Sequence, residues 1–290
     1  MYRAVAANKR NTVIIMLIFF VLIGGLSWVS AVYLDGGWSV AVLVVVIAAV
    51  YALVEYFAAG RIAMAVNGAS EISRKDNPTL YNAVENLTIT EGLPMPRVFI
   101  IDDPAPNAFA TGRNPKHAMV AATTGLIEIM DRRELTAVMA HEMGHVKNYD
   151  ILVATIVFGL VSVISLICDI VLRVTLFSDS RDKNPIILIV GLVAAILSPI
   201  VALLVQLAVS RQREYLADAT SVLTTADTDG MIRALEKLKQ YGRPMRRENT
   251  STAHLFIANP LKEGFFSRVF STHPPIDERI KRLQDNAEKM

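Results

Sequence analysis

HEMGHVKNYDILVATIVFGLVSVISLICDIVLRVTLF, residues 141–177, runs from a polar motif straight into an apolar segment. Its first five residues place two histidines four apart with a glutamate between them, and from Ile151 to about Phe177 the chain turns apolar. A helix needs roughly 20 mostly apolar residues to cross the hydrocarbon core of a bilayer, so this run is long enough. What residues 141–145 do depends on what else the chain brings to the same place.

The whole sequence leans the same way. Its 290 residues are 53% hydrophobic and 19% charged, with a mean hydropathy of +0.40, too apolar for an ordinary soluble domain. A net charge of +2 and the lack of a basic run interleaved with aromatics leave nucleic-acid binding without an electrostatic footprint. The single cysteine, Cys168, excludes an internal disulfide framework and a cysteine-based zinc knuckle, so any metal must be held by histidine and carboxylate.

Four apolar runs read as transmembrane helices: Thr12 to Leu34, Trp38 to about Ala59 with Glu55 and Tyr56 near its far end, Ile151 to about Phe177, and Pro185 to Val209. The rival for the first is a cleaved signal peptide, disfavoured because the run exceeds the usual ~7–15 apolar residues and continues past the stretch Trp28-Val29-Ser30-Ala31, which offers small residues for a cut. Arg3, Lys9 and Arg10 precede the first run, Asp35-Gly36-Gly37 carries no positive charge, and Arg61, Arg74 and Lys75 follow the second. By the positive-inside rule both termini and the central segment face the cytoplasm. The second hairpin's tip, Ser178 to Asn184, has Arg181 and Lys183 against Asp179 and Asp182, which weakens that asymmetry without reversing it. Asp169 and Arg173 share a helix face in the third run, read first as a structural ion pair and second as a polar pathway.

The water-soluble part is therefore split, with spans in 1–60 and 151–209 and cytoplasmic pieces in 61–150 and 210–290. In the first piece Arg97 to Ile101 and Ala118 to Ala122 read as strands, and Ala69 to Thr90 as a helix with a break near Pro78. Asp131 with Glu134 three residues later is a capping-box pattern, and a helix-compatible sequence continues from there into the third span. HEMGH then lies on a helix, with His141 and His145 on one face and Glu142 beside them.

Two ligands make a weak site, and a catalytic zinc ordinarily takes three, His₂Glu being one standard set. A helical hairpin returns to the side it left, which places residues just after the fourth span level with those just before the third. His145 stands six residues outside Ile151 and Glu214 five outside Val209, heights of ~9 and ~7.5 Å at ~1.5 Å per residue. Helices packed ~8–10 Å apart would bring these side chains together if both run straight out of the bilayer. Asp218, four residues beyond Glu214, is the candidate carboxylate for a histidine's other ring nitrogen. The bland reading makes all four residues solvated helix positions, with Glu214 and Asp218 pairing Arg211 or Arg213; the conjunction at one membrane face favours Zn2+.

The HEMGH helix, the paired apolar runs, SRQREYLAD (210–218) and STHPPIDERIKRL (271–283) together resemble the HtpX family of membrane zinc metalloproteases, related to the CAAX prenyl endopeptidases. The resemblance covers essentially the whole chain. It implies a mainly α integral membrane protein in which four transmembrane helices carry a cytoplasmic α+β zincin-like catalytic domain, the HExxH and ExxxD helices extending the third and fourth spans. By resemblance Glu214 is the third ligand and His273 donates a hydrogen bond to the oxyanion; alternatively His273 is only a neighbour of the helix start at Pro274-Pro275.

The resemblance also implies a bacterial inner-membrane enzyme of protein quality control, acting on misfolded or damaged membrane proteins and unfolded polypeptides beside other quality-control proteases. PNAFATG (106–112) recurs in such proteases and follows one expected strand and precedes another; Asn107 and Ala108 are candidates to pair with substrate backbone, against the plainer reading of a turn. Glu142 is the expected general base and acid. The rivals are a prenyl-protein endopeptidase, for which four spans are few to enclose a chamber, and a non-proteolytic zinc-binding membrane adaptor. An intramembrane protease is disfavoured because the motif precedes the span and is flanked by Arg132, Arg133 and Lys147.

Overall fold

The computed structural model describes residues 2–33, 37–162, 211–249, 251–262 and 274–287. In chain order its main elements are α1 (Tyr2–Tyr33), α2 (Gly37–Val66), β1 (Ala69–Glu71), α3 (Pro78–Glu91), β2 (Arg97–Ile101), β3 (Ala108–Thr111), β4 (Met119–Thr123), α4 (Thr124–Ile129), α5 (Arg132–Lys147), α6 (Asp150–Ser162), α7 (Arg211–Thr225), α8 (Thr228–Tyr241) and α9 (Ile276–Ala287). The architecture is helical with one small sheet.

The first two apolar runs lie in α1 and α2, which pack on each other. Among the described residues no single helix is long and apolar enough to cross a membrane. One bent pair, Val45–Tyr51 with Leu53–Val66 at 44°, could do so by length and composition, and α6 is a shorter apolar helix. The third expected span beyond Ser162 and all of the fourth, with Cys168, Asp169 and Arg173, fall outside the described residues.

The sheet has the order β1-β2-β4-β3, with β2 and β4 parallel and both outer pairs antiparallel. Strands β2, β3 and β4 are apolar almost without interruption because both faces are covered, whereas β1 is an exposed edge. Val98, Ala108, Ala110, Val120 and Ala122 point into a core shared with α3, α5 and α8, whereas Phe99, Ile101, Phe109, Met119 and Ala121 point to Ala59, Ala63 and Met64 of α2. A third core joins Ile15 and Phe19 of α1 to Leu152, Val153, Ile156 and Val157 of α6.

Two expectations change in the structure. Ala69 to Glu71 is a strand paired with β2, not the start of a helix, and Pro78 begins α3 rather than breaking it. Pro fits the first helical position because its missing N–H would have no partner there, and the Asn77 side chain caps the turn by accepting from the Leu80 amide at 2.9 Å. The helix through HEMGH also stops short of the apolar run. The Asp131–Glu134 capping box starts α5 as the sequence indicated, but Tyr149 takes the left-handed φ of 61° and α6 begins afresh at Asp150. That break leaves the Asn148 carbonyl to accept from the Asn8 side chain of α1 at 2.9 Å.

Helices α5 and α7 pack closely at Gly144, where an added Cβ would lie 3.4 Å from Thr220 Cβ and 3.5 Å from Ala217 Cα. Ser221 fixes the pair by donating to the Ala137 carbonyl at 2.7 Å. A methyl fits this gap in ordinary contact and a longer side chain does not. Gly144→Ala is therefore expected to unfold within about 1 kcal/mol of the parent, and Gly144→Leu to lose about 1–3 kcal/mol, read from denaturant unfolding of the detergent-solubilised protein.

Candidate metal centre

On α5 the four-residue spacing stacks His141 and His145 on the face turned to α7, and on α7 the same spacing turns Glu214 and Asp218 back. The rings meet edge to face, with centroids 4.8 Å apart and planes at 88°. Their Nε2 atoms are 3.2 Å from each other, and Glu214 places carboxylate oxygens 3.7 Å from His141 Nε2 and 3.5 Å from His145 Nε2. One ligand atom from each of the three residues fits within a span of 4.8 Å.

The outward nitrogens are held separately. Asp218 Oδ1 lies 2.9 Å from His141 Nδ1, and Asp150 Oδ2 lies 3.0 Å from His145 Nδ1. Carboxylates on both Nδ1 atoms draw the ring protons to that side, so two Nε2 lone pairs and an anionic carboxylate converge on one buried point. Such a donor set repels itself unless a cation or protons lie between its members. Two nitrogens each ~2.0–2.1 Å from one tetrahedral ion stand about 3.3 Å apart, close to the separation seen. The residues fit a divalent metal.

Burial heightens the electrostatics: His141, Glu142, Glu214 and Asp218 are all buried. Without metal, burial opposes protonation of His141, but its hydrogen bonds to Asp218 and Glu214 outweigh that and lift its pKa to about 9. His145 is also raised, the charge of Glu214 and the bond to Asp150 exceeding the burial cost. Burial would raise the Asp218 pKa; Arg279 and His141 reverse this and hold it down to about 2.

Asp150 and Arg279 were not singled out from the sequence, although both act on the predicted ligands. Arg279 of α9 is fully buried and grips Asp218 with two bonds, Nε to Oδ2 at 2.9 Å and Nη2 to Oδ1 at 2.6 Å. A signal was present: Ile276, Ile280 and Leu283 form the apolar stripe of α9, and Arg279 falls within it instead of on the polar face. Asp150 is reached from α1, since Asn8 Nδ2 donates to its Oδ1 at 2.7 Å while Asn8 Oδ1 accepts from Arg213 at 3.3 Å. Only the position of Asp150 as the last acid before the apolar run hinted at this.

The remaining candidates are placed as follows. Glu142 is buried beside its histidine neighbours, close enough to Arg279 to act on its charge. His273 lies outside the described residues. Asn107 and Ala108 differ from the expectation of an open edge. The Asn107 side chain donates to Ala258 O at 2.9 Å and accepts from Ala258 N at 3.1 Å, and the Ala108 carbonyl accepts from Ile257 N at 3.0 Å. Phe109 bridges Phe256, so residues 256–258 already occupy the edge assigned to substrate. His117 is exposed and His254 is buried with Nε2 3.0 Å from Ala154 O, as residues without a part in the site.

Two measurements test this geometry. A group raised from an ordinary 6.5 to about 9 stabilises the metal-free fold fully below about 6.5 and loses that contribution as pH rises through about 9. A metal must displace the same proton, so metal affinity from chelator competition is expected to climb between pH 7 and 9; a flat profile contradicts the protonated His141. Arg279→Met strips a buried carboxylate of its cation and should cost about 3–5 kcal/mol in unfolding free energy, with a matching loss of retained metal.

Comparison with known proteins agrees with these features. Residues 74–287 match the sequence profile described as Peptidase family M48. The chain is 55% identical over 287 residues to "Protease HtpX homolog" of Tropheryma whipplei (strain Twist), covering 98% of each chain. It is 45% identical over 297 residues to the protein of that name from Streptococcus pneumoniae (strain Hungary19A-6), covering 98% of this chain and 99% of that one. Among solved structures, S. mikatae Ste24p aligns over 93% of this chain with 20% identity and a TM-score of 0.48, and this chain spans 62% of that protein. The profile and the full-length relatives are sufficient: the chain belongs to peptidase family M48 and is a membrane-associated metalloprotease.

Proposed function

We propose that the chain is a zinc-dependent endopeptidase that cleaves misfolded or damaged membrane proteins at the cytoplasmic face of a bacterial inner membrane. The observation that carries this reading is the inward convergence of His141, His145 and Glu214 between two carboxylate-braced helices. His₂Glu is a hard-to-borderline donor set suited to Zn2+, and it leaves a position for water and substrate. Bound there, zinc supplies a Lewis acid that makes water more acidic and polarises the scissile carbonyl.

The protein's own groups do the rest. Asp218 and Asp150 hold the two imidazoles with Nε2 inward and make them more basic toward the metal. Arg279 keeps Asp218 ionised in a buried setting. Glu142 takes the proton of the attacking water and delivers it to the leaving nitrogen, and its seclusion beside the ligands keeps that proton from bulk exchange. His273 is assigned to the oxyanion by resemblance alone. The pairing role of Asn107 and Ala108 is not carried forward, because their backbone and side-chain groups are engaged by Ile257 and Ala258.

The four-span topology with cytoplasmic termini completes the proposal. The bent apolar α2, the apolar α6 and the positive charges flanking the first two runs support it. A site just outside the lipid favours loops and tails over peptide bonds at the bilayer centre. The deciding experiment pairs zinc quantification with proteolysis of an unfolded substrate. Glu142→Gln should retain about one zinc per chain while turnover falls by about 10²–10⁴, and Glu214→Ala should lose zinc. Full proteolysis by the first variant, or unchanged zinc in the second, would overturn the assignment.

A further inference from the structure

Away from the metal cluster, a cavity of about 150 Å³ opens where the end of α2 meets the sheet and the turn after β3. Its basic lining includes Arg61, Arg113 and Lys116, with Phe57 and Thr155 beside them. Among the described residues no carboxylate lines it, and the fourth cation, Arg97, is already paired with Glu71 by two bonds of 2.6 and 2.7 Å. Three positive groups thus line one small space, and among the described residues no anion balances them.

The position of the cavity tells what that anion is attached to. Val46, Val50, Leu53 and Phe57 are each more than half exposed, and at spacings of four, three and four they form one stripe along α2. Arg61 follows Phe57 by four and is exposed, so the stripe ends at the cavity. Measured along the helix, through its 44° bend between Tyr51 and Leu53, it is about 16 Å long at 1.5 Å per residue, the length of an acyl chain's reach into one leaflet. The Arg113 guanidinium stands over the Phe57 ring, 4.8 Å from its centroid, which holds the charge at the boundary between apolar stripe and polar cavity. Close approach at Gly60 brings this turn against α2, an added Cβ there meeting Met119 Cε at 2.6 Å and Gly112 Cα at 3.5 Å.

We propose that this cavity binds the phosphate headgroup of an anionic phospholipid, with one acyl chain lying along the Val46–Phe57 stripe. Guanidinium and ammonium groups at a membrane boundary select anionic headgroups over zwitterionic ones. The lipid would cement α2 to the sheet that carries the catalytic half of the chain. The inference rests on α2 lying in the bilayer.

The test uses the full-length protein in two formats. Incorporated into vesicles of phosphatidylcholine with or without phosphatidylglycerol, it inserts in both; protein that stays out of both would sink the membrane reading of α2 and this inference with it. In detergent, with the two lipids supplied equally, native mass spectrometry should show phosphatidylglycerol retained in preference. The Arg61→Gln/Arg113→Gln/Lys116→Gln variant should lower that retention by at least about tenfold, leave phosphatidylcholine unchanged and keep its zinc. Insertion without headgroup preference, equal retention by the variant, or an equal fall on replacing the distant surface cations Lys75, Arg132 and Lys281 would each overturn the inference. Displacement of the lipid by millimolar inorganic phosphate would make this a free-anion site and overturn it too. Should the triple variant not purify, Lys116→Glu on its exposed turn carries the same expectation, with a loss of about threefold or more.

Discussion

The structure depends on an arrangement that is unfavourable by itself: two imidazole nitrogens 3.2 Å apart aimed at a carboxylate inside the protein. Left to relax, such a set would rotate its rings and let the helices drift. Carboxylates on the far sides of both rings prevent rotation, and the close packing of α5 on α7 at Gly144 prevents drift. The remaining contacts of the catalytic half keep these two constraints in force. The sheet and α3 back α5, α8 and α9 back α7, and Ser221 ties the two helices by a direct bond.

That arrangement explains the concentration of buried charge. Asp218 and Arg279 form a forked pair from which water is excluded, and a pair of this kind adds little stability on its own. It orients a ligand instead. Asp150 does the same for His145 and is itself held by Asn8, so α1 takes part in aiming a histidine more than a hundred residues away in sequence. Helix α1 is thus joined to the catalytic half by polar contacts as well as by its apolar seam with α6.

Much of this was legible in the sequence, for local reasons. The capping box at Asp131, the i, i+4 pairs and the apolar strands each follow from rules acting over a few residues, and all have counterparts in the structure. The choice of Glu214 needed a long-range argument, which assumed straight helices leaving the lipid. The structure brings Glu214 to the histidines even though Tyr149 breaks one of those helices, because the packing at Gly144 fixes where α5 and α7 meet. Three-residue β1 was read as helix, since its only strand signal is the partner β2. Residues 256–258 on the edge of β3 were invisible because nothing in PNAFATG indicates a neighbour 150 residues away. The polar anchors Asn8 and Asp150 were missed for the same reason.

Arg279 carries one further consequence, about timing. Helix α9 is made after the metal-binding residues, and until it docks Asp218 lacks the guanidinium of Arg279, one of the two groups that keep it charged in the interior. The orientation of His141 is therefore secured only when the last described helix folds onto α7 and α8. A hydrolase assembled in this order holds its cutting centre incomplete throughout most of its own synthesis, when the nearest unfolded polypeptide is itself.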